Sequence, residues 1–267
     1  MRAICLHDRT AIERVLRRDP FLHIYSLGDL DDFMWPHTTW YGLPAPEAPG
    51  EVDEIALLFS GLSLPTLVAV TGRTDRMSEL LRRIGRLLPP SFYCHLTPGL
   101  EPALSERFRL ESHGRHYRMV LTRPECLHEI TETNVERLSR DNEAEIRELY
   151  AAAYPDTWFE LLMLDTEMYF GFRLDGRLVS IAGVHVFAPR YRAAALGNIA
   201  THEDYRRRGC ATAAVGVLCR RLLQQVDHVG LNVHRDNVAA IRCYQRLGFT
   251  VHGEYEEYMV EIDRKTR

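Results

Sequence analysis

The chain has 267 residues, of which 46% are hydrophobic and 26% charged, and its formal net charge is −4. This length exceeds that of one ordinary mixed domain and suits two domains of about 100–200 residues each. The acidic balance argues against a general attraction to nucleic acid, and no apolar run approaches the roughly 18 residues that span a bilayer. The amino terminus lacks the apolar core of a signal peptide, so we expect a cytoplasmic protein without membrane or nucleic-acid partners.

The amino-terminal half has the pattern of a mixed α/β domain. Apolar residues recur at helical spacing within residues 8–18 and 77–88, whereas residues 55–59 and 66–70 have strand-like composition. Segments near the ends of the two halves resemble each other: 108–110 and 117–120 in the first half, 249–251 and 258–260 in the second. Two explanations are open, a degenerate duplicate of the second half or chance likeness between two terminal hairpins.

From residue 127 onward the sequence reads as one continuous mixed domain. We therefore divide the chain into domains 1–126 and 127–267 and expect an α/β fold with a mixed sheet. Apolar residues at three- and four-residue steps predict a helix over 142–153, which Pro155 ends.

Three strands are predicted next. Residues 169–174 and 178–187 form an antiparallel pair joined by the turn Asp175-Gly176. A third strand over 193–201 leads into an arginine-rich loop. A long helix begins at about Gly209, and its apolar stripe indicates that one face packs on a sheet.

The last predicted elements are short. Residues 228–233 form a strand, Asn237 is the N-cap of a helix over 238–247, and Gly248 ends that helix. Strands over 249–251 and 255–262 close the domain.

Six cysteines are scattered singly along the chain, and none has the two-residue spacing of zinc ribbons or redox pairs. We therefore expect free, mostly buried thiols and no bound metal.

The loop Arg206-Arg207-Arg208-Gly209-Cys210-Ala211 joins a predicted strand to a predicted helix. Unpaired main-chain N–H groups and the positive end of the helix dipole meet there, which favours phosphate. Gly209 allows close approach of the backbone, Ala211 leaves the turn unobstructed, and the arginines add charge-assisted hydrogen bonds. The loop therefore predicts a diphosphate site, although a triple arginine alone is more typical of a solvated surface.

The pattern R-x-x-G-x-A between strand and helix resembles the acyl-CoA pyrophosphate motif of the GNAT acetyltransferase superfamily. A second segment, from Asn237 to Phe249, resembles the family's N-x-x-A-x-x-x-Y-x-x-x-G-F segment and follows after one helix and one strand. The two motifs belong to residues 127–267, and the two-domain layout is similar to that of glycine N-acyltransferases. The resemblance implies a GNAT fold for the second half.

The resemblance to the GNAT superfamily also implies an acyl-CoA co-substrate, most simply acetyl-CoA, and no metal. Strand residues 199–201 are expected to splay from 231–233, which leaves main-chain groups for the pantetheine arm and the thioester. An amine would then attack the thioester directly, without a covalent enzyme intermediate. The residues expected to contact the co-substrate are Ile199, Ala200, Thr201, Arg206, Arg207, Arg208, Gly209, Cys210, Ala211, Thr212, Asn237 and Tyr244.

Tyr244 is the candidate catalytic residue. Two helical turns separate it from Asn237, so both side chains share a helix face. In the family this tyrosine stands near the thioester sulfur and protonates the departing thiolate, which the resemblance assigns to Tyr244 as general acid. A buried core tyrosine is the alternative.

The general base is not apparent, because Ala195 occupies the position that aligns with the glutamate of many family members. Glu203, His185 and Glu167 are candidates, each with an ordinary explanation as a surface residue. Residues 154–159 lie where the family recognises its acceptor, and their aromatic side chains either line an acceptor pocket or form core contacts.

The expected activity is acyl transfer, most simply of acetyl, to the amine of a small molecule or amino-acid derivative. A module that binds CoA for regulation, without turnover, is the alternative that Ala195 suggests. A weaker alternative is nucleic-acid contact through Arg206, Arg207 and Arg208. A homodimer is left open.

Overall fold

The computed structural model describes residues 3–48, 50–155 and 157–263. Contacts divide the chain into two compact units, residues 1–118 with 252–267 (unit 1) and residues 119–251 (unit 2). No helix in the described ranges is long and apolar enough to cross a membrane.

Unit 1 contains a sheet in which successive strands from β1 to β4 are antiparallel and β4 and β5 are parallel. Its elements are β1 (Ile4–Leu6), α1 (Arg9–Leu16), α2 (Ile24–Gly28), β2 (Thr38–Pro44), β3 (Val52–Phe59), β4 (Thr66–Ala69), α3 (Thr74–Ile84), β5 (Ser91–Leu96), α4 (Glu101–Ser105) and the start of β6 (Phe108–Leu121).

Unit 2 repeats this order of strand directions, because β7 to β10 are antiparallel in succession and β10 and β11 are parallel. Its elements are β7 (Val135–Arg137), α5 (Glu143–Ala153), β8 (Phe170–Leu174), β9 (Arg177–Ala188), β10 (Ala193–Thr201), α6 (Cys210–Leu222), β11 (His228–His234), α7 (Val238–Arg246) and the start of β12 (Phe249–Ile262). The shared topology favours duplication over chance likeness.

The strand pair predicted at the end of the chain is one long strand, and so are the two segments of the first half that resemble it. Segments 108–110 and 117–120 both lie in β6, and 249–251 and 255–262 both lie in β12. The middle of each strand carries exposed polar residues, so the apolar alternation by which strands are recognised is interrupted there.

From residue 252 onward, β12 belongs to unit 1. Glu256 to Glu261 pair antiparallel with Ser91 to Leu96 of β5. The boundaries of the two compact units therefore differ from the domain division predicted from the sequence, 1–126 and 127–267. That division remains a proposal. Ladder pairing with a distant strand cannot be read from local pattern.

Each unit has its own core. In unit 1, Phe92, Cys94 and Leu96 alternate along β5 and are fully buried in one cluster with Leu80 and Leu81 of α3. Burying a side chain of this size contributes roughly 1.5–3 kcal/mol.

In unit 2, helix α6 packs against β8, β9 and β10. Its buried residues are Cys210, Ala214, Val215, Gly216, Val217, Leu218, Cys219 and Leu222. The predicted stripe is confirmed for Val215, Leu218, Cys219 and Leu222, whereas the helix ends before its last two members, the half-buried Leu223 and the buried Val226. This packing places the amino terminus of α6 just beyond the end of β10. All six cysteines are free, and three of them, Cys94, Cys210 and Cys219, are buried.

Candidate functional site

The turn between β10 and α6 is open to solvent. Residues 206–209 are exposed, and Arg207 (φ 64°) and Gly209 (φ 83°) have left-handed backbones. Left-handed residues in a turn direct neighbouring N–H groups to one side, as in anion-binding nests. A Cβ on Gly209 would meet nothing within 4 Å, so its φ rather than its packing favours glycine.

Helix α6 begins without a side-chain cap, because its N-cap is Gly209 and no side chain hydrogen bonds there. The N–H groups of Cys210, Ala211 and Thr212, in the first turn, therefore have no intrahelical acceptor. The helix dipole adds partial positive charge at the same place. These three predicted contact residues present the donors that an anion requires.

The positive charges of the three arginines in the turn are not neutralised by carboxylates of the described residues. Arg206 donates from Nε to the carbonyl oxygen of Thr201 at 3.3 Å, and the Arg208 guanidinium lies 5.3 Å from the centre of the Tyr205 ring. Within the described residues no acidic side chain pairs with Arg206, Arg207 or Arg208. Negative charge is therefore favoured beside the turn.

The parallel ladder between β10 and β11 ends early. It begins at the pair Ala193–His228 and its last pair is Leu196–Leu231, although β10 continues to Thr201 and β11 to His234. The side-chain oxygen Oδ1 of Asn232, just past the last pair, is buried without a hydrogen-bond partner. The strands thus part where the resemblance predicted, except that Leu231 is still paired.

On its other edge β10 carries a bulge. The register with β9 shifts between Gly197 and Ala200, and Asn198 within this segment has φ 54° and is 3% exposed. Bulges re-aim side chains and are common beside functional sites. Ala200, one of the predicted contact residues, has its carbonyl oxygen bound by Ser180 Oγ at 3.1 Å.

The Asn198 side chain connects three parts of unit 2. Its partners are Thr157 Oγ1 at 2.9 Å, His185 Nε2 at 2.9 Å, the Trp158 carbonyl oxygen at 3.0 Å and Tyr169 Oη at 2.9 Å. Its main-chain oxygen also accepts from Tyr150 Oη at 2.8 Å. The predicted acceptor segment 154–159 is therefore fastened to the bulge through residues 157 and 158, whereas Asp156 lies outside the described residues.

Replacing Asn198 by alanine is expected to lower the free energy of unfolding by about 3 kcal/mol, since several buried polar groups lose their partner. Asn134 provides a matched control, because it also has a left-handed backbone (φ 65°) but is exposed. Urea denaturation of both alanine variants measures the difference. An equal loss in the two variants would assign the effect to the backbone instead.

His185 lies against the bulge. A Cβ on Gly197 would come within 2.2 Å of its ring, so the imidazole covers the β10 backbone at that point. The residue as a whole is exposed to solvent, yet the surrounding chain partly desolvates the ring and lowers its pKa below 6.5, against a raising effect of the Asn198 hydrogen bond.

The hydrogen bonds also fix which nitrogen of His185 carries the proton. The Trp158 carbonyl can only accept, so Asn198 presents Nδ2 to it and Oδ1 to His185. Nε2 therefore holds the hydrogen of the neutral ring, and Nδ1 has the lone pair. No hydrogen bond to Nδ1 is present among the described residues.

The other candidate bases lie in less suitable places. Glu167 is exposed and its carboxylate pairs with Arg137 at 2.8 Å. Glu203 is exposed in the short turn that precedes the arginines. Ala195, at the position of the family's glutamate, is fully buried.

Tyr244 lies on α7 and is 7% exposed, with its ring centre 6.0 Å from that of Phe249. Thr212 Oγ1 and Cys243 Sγ, 3.3 Å apart, connect α6 to α7 at this level. Asn237 is exposed, and its Oδ1 accepts from the Ala240 N–H as the cap of α7. Its oxygen thus has a structural role, and its contact with co-substrate remains a prediction.

Asn198 and Asn232 are not singled out by the sequence patterns above. The dipeptide Gly197-Asn198 inside an apolar strand is a signal for a bulge that could have identified the first. Nothing in the sequence marks Asn232. Within residues 3–48, 50–155 and 157–263, no group of three His, Cys, Asp or Glu side chains is arranged to hold a metal.

The comparisons with known proteins agree with this geometry. The family model described as acetyltransferase (GNAT) family matches residues 133–249. A Drosophila protein of known structure has a TM-score of 0.64 at 12% identity, with 98% of each chain covered. A GNAT acetyltransferase from Colwellia psychrerythraea has a TM-score of 0.57 at 12% identity, with 98% of this chain and 100% of that chain covered.

A tandem GNAT protein from the clavulanic acid biosynthesis pathway has a TM-score of 0.55 at 13% identity, with 97% of this chain and 98% of that chain covered. A search of curated protein sequences gives no match. At these identities the structural likeness shows the fold alone.

The carboxy-terminal half of the chain is thus a GNAT acetyltransferase domain. The protein is an enzyme, an acyltransferase of the class that takes its acyl group from acyl-CoA and passes it to an acceptor.

Proposed function

We propose that this enzyme transfers an acetyl group from acetyl-CoA to the amine of a small molecule or amino-acid derivative. The main support is the exposed turn of residues 206–209, followed by the uncapped first turn of α6 (210–212), beside the open ends of β10 and β11. The turn offers N–H donors and three guanidinium groups to a diphosphate. The open strand edge, residues 199–201, offers main-chain groups to the pantetheine arm.

The reaction proposed is direct aminolysis. The acceptor nitrogen attacks the thioester carbon, and an N–H group at the open strand edge stabilises the resulting oxyanion. Collapse of this intermediate breaks the C–S bond, and Tyr244 donates a proton to the departing CoA thiolate. The proton that the amine loses goes to a general base.

We assign the general base to His185. Its Nδ1 lone pair, its neutral state near pH 7 and its place against the β10 bulge, which adjoins residues 199–201, all suit proton acceptance. Glu167 is engaged by Arg137, and Glu203 lies in an exposed turn. General bases contribute roughly 100-fold to 10,000-fold in rate.

The pH dependence of kcat/KM is expected to report His185. Only the neutral ring accepts a proton, and partial desolvation by the surrounding chain lowers its pKa below the ordinary 6.5, so activity should be lost as pH falls through a midpoint below 6.5. His185→Gln should remove this limb and lower the rate about 100-fold. Glu203→Gln should keep both the limb and the rate, and loss of the limb in that variant instead would reassign the base.

The proposed activity is tested by CoA thiol release from acetyl-CoA against a panel of amines and amino-acid derivatives. Release that depends on the acceptor is the expected result. The second candidate, a regulatory module that binds CoA without turnover, is favoured by the buried methyl of Ala195, which leaves that position without a base. Saturable acetyl-CoA binding with no release for any acceptor would support it instead.

A further inference from the structure

Unit 1 contains a buried arginine whose main binding edge lacks a partner. Arg118 on β6 is 2% exposed, and its Nη1 donates to the carbonyl oxygen of Leu22. Its Nε and Nη2 are buried, and neither has a hydrogen-bond partner among the described residues. These two nitrogens form the edge with which arginine binds a carboxylate through two parallel hydrogen bonds.

Aromatic rings surround this guanidinium. It lies 5.5 Å from the centre of the Tyr25 ring and 5.3 Å from that of Tyr255. Tyr255 in turn stacks on His116 at 5.4 Å and lies 4.8 Å from His95. The cation thus lies over two aromatic faces, which attract it.

The acidic side chains nearby are engaged elsewhere. Glu257 accepts from Tyr93 Oη at 2.6 Å and Tyr255 Oη at 3.0 Å, and its Oε1 lies 3.6 Å from His95 Nε2. His116 Nε2 lies 3.7 Å from the same Oε1, so the Glu257 carboxylate has an imidazole on each of two sides.

Asp19, which also acts on Arg118 electrostatically, bonds to His252 Nε2 at 2.8 Å and accepts from the Leu22 N–H at 3.0 Å. Neither Asp19 nor Glu257 therefore neutralises Arg118 by direct contact. A buried cation without a counter-ion is costly, and a bound carboxylate would supply the missing negative charge.

We propose that Arg118, Tyr25 and Tyr255 form a binding site in unit 1 for a small monocarboxylate with a flat, apolar or aromatic body. The carboxylate would accept from Nε and Nη2, and the body would lie against the partly exposed ring of Tyr25, because the Tyr255 ring is buried against His116 and Arg118. A phosphate dianion fits less well, since Arg118 is one cation and Asp19 and Glu257 are negative. This site is made of unit 1 residues, whereas the residues assigned to acyl transfer belong to unit 2, so either proposal can fail alone.

The test is calorimetric titration of the full chain with benzoate and with benzamide, which has the same shape without the charge. Benzoate is expected to bind saturably and benzamide at least about tenfold more weakly. Arg118→Lys keeps the charge but loses the paired donors. It should weaken the binding of benzoate roughly tenfold, while the affinity for acetyl-CoA stays unchanged. Arg115→Lys, which changes a half-exposed arginine of the same strand, should bind benzoate like the wild type.

Equal binding of benzoate and benzamide, tighter binding of inorganic phosphate than of benzoate, or wild-type benzoate affinity in Arg118→Lys would each overturn the proposal. If Arg118→Lys does not fold, ¹⁵N NMR of the wild-type Arg118 Nε–H decides. A change in the chemical shift of this signal that saturates with added benzoate supports the site. An unchanged chemical shift at saturating benzoate overturns it.

Discussion

Replacing Tyr244 by phenylalanine is expected to lower kcat roughly 100-fold, because the departing CoA thiolate loses its proton donor. The change removes a single oxygen from a ring that is 7% exposed and packs near Phe249, so the shape of α7 is retained. The dissociation constant for acetyl-CoA should stay within about twofold, since the hydroxyl acts on the departing sulfur in the transition state. Thiol-release kinetics and calorimetry measure the two quantities.

Tyr191→Phe is the matched control. Tyr191 is also a buried tyrosine of unit 2, at 3% exposure, in the short turn before β10. Its kcat should equal that of the wild type. An equal fall of kcat in both variants would indicate a general packing effect, and wild-type kcat in Tyr244→Phe would remove Tyr244 from the mechanism.

Replacing Gly209 by alanine is expected to raise the acetyl-CoA dissociation constant at least about tenfold. The left-handed backbone of Gly209 (φ 83°) strains any other residue, and a methyl group at this open position stands where the diphosphate would approach the first N–H groups of α6. Calorimetric titration of acetyl-CoA measures the change.

Gly176→Ala is the control that separates the effect of backbone strain from an effect on acetyl-CoA binding. It has nearly the same backbone (φ 80°), also with nothing within 4 Å of an added Cβ, in the turn between β8 and β9 of the same unit. Both alanine variants should lose about 1–2 kcal/mol of unfolding free energy from backbone strain. Only Gly209→Ala should weaken the binding of acetyl-CoA. Equal acetyl-CoA affinities in the two variants would contradict a diphosphate site at the turn.

The sequence predicted local structure well where pattern and turn chemistry agree. The strand Ala193–Thr201 and the start of α6 after Gly209 lie where they were expected, since apolar residues and a left-handed glycine mark them. Long-range pairing was not predictable. The end of β12 joins β5 of unit 1, and no local signal distinguishes that partner from one in unit 2.

The site was predictable only in part, for the same reason. A motif of six adjacent residues revealed the turn before α6, because its chemistry is contained in the backbone and in neighbouring side chains. The His185–Asn198 hydrogen bond depends on a bulge that changes the register of β10. Arg118 is held by Leu22, 96 residues away in sequence, so its unpartnered edge becomes visible only in the folded chain.

A crystal structure with acetyl-CoA tests the transferase assignment most directly. The assignment predicts diphosphate oxygens about 2.7–3.2 Å from main-chain nitrogens within residues 207–212, with the sulfur facing the Tyr244 hydroxyl. A diphosphate bound elsewhere, or a Tyr244 hydroxyl directed away from the sulfur, would contradict it.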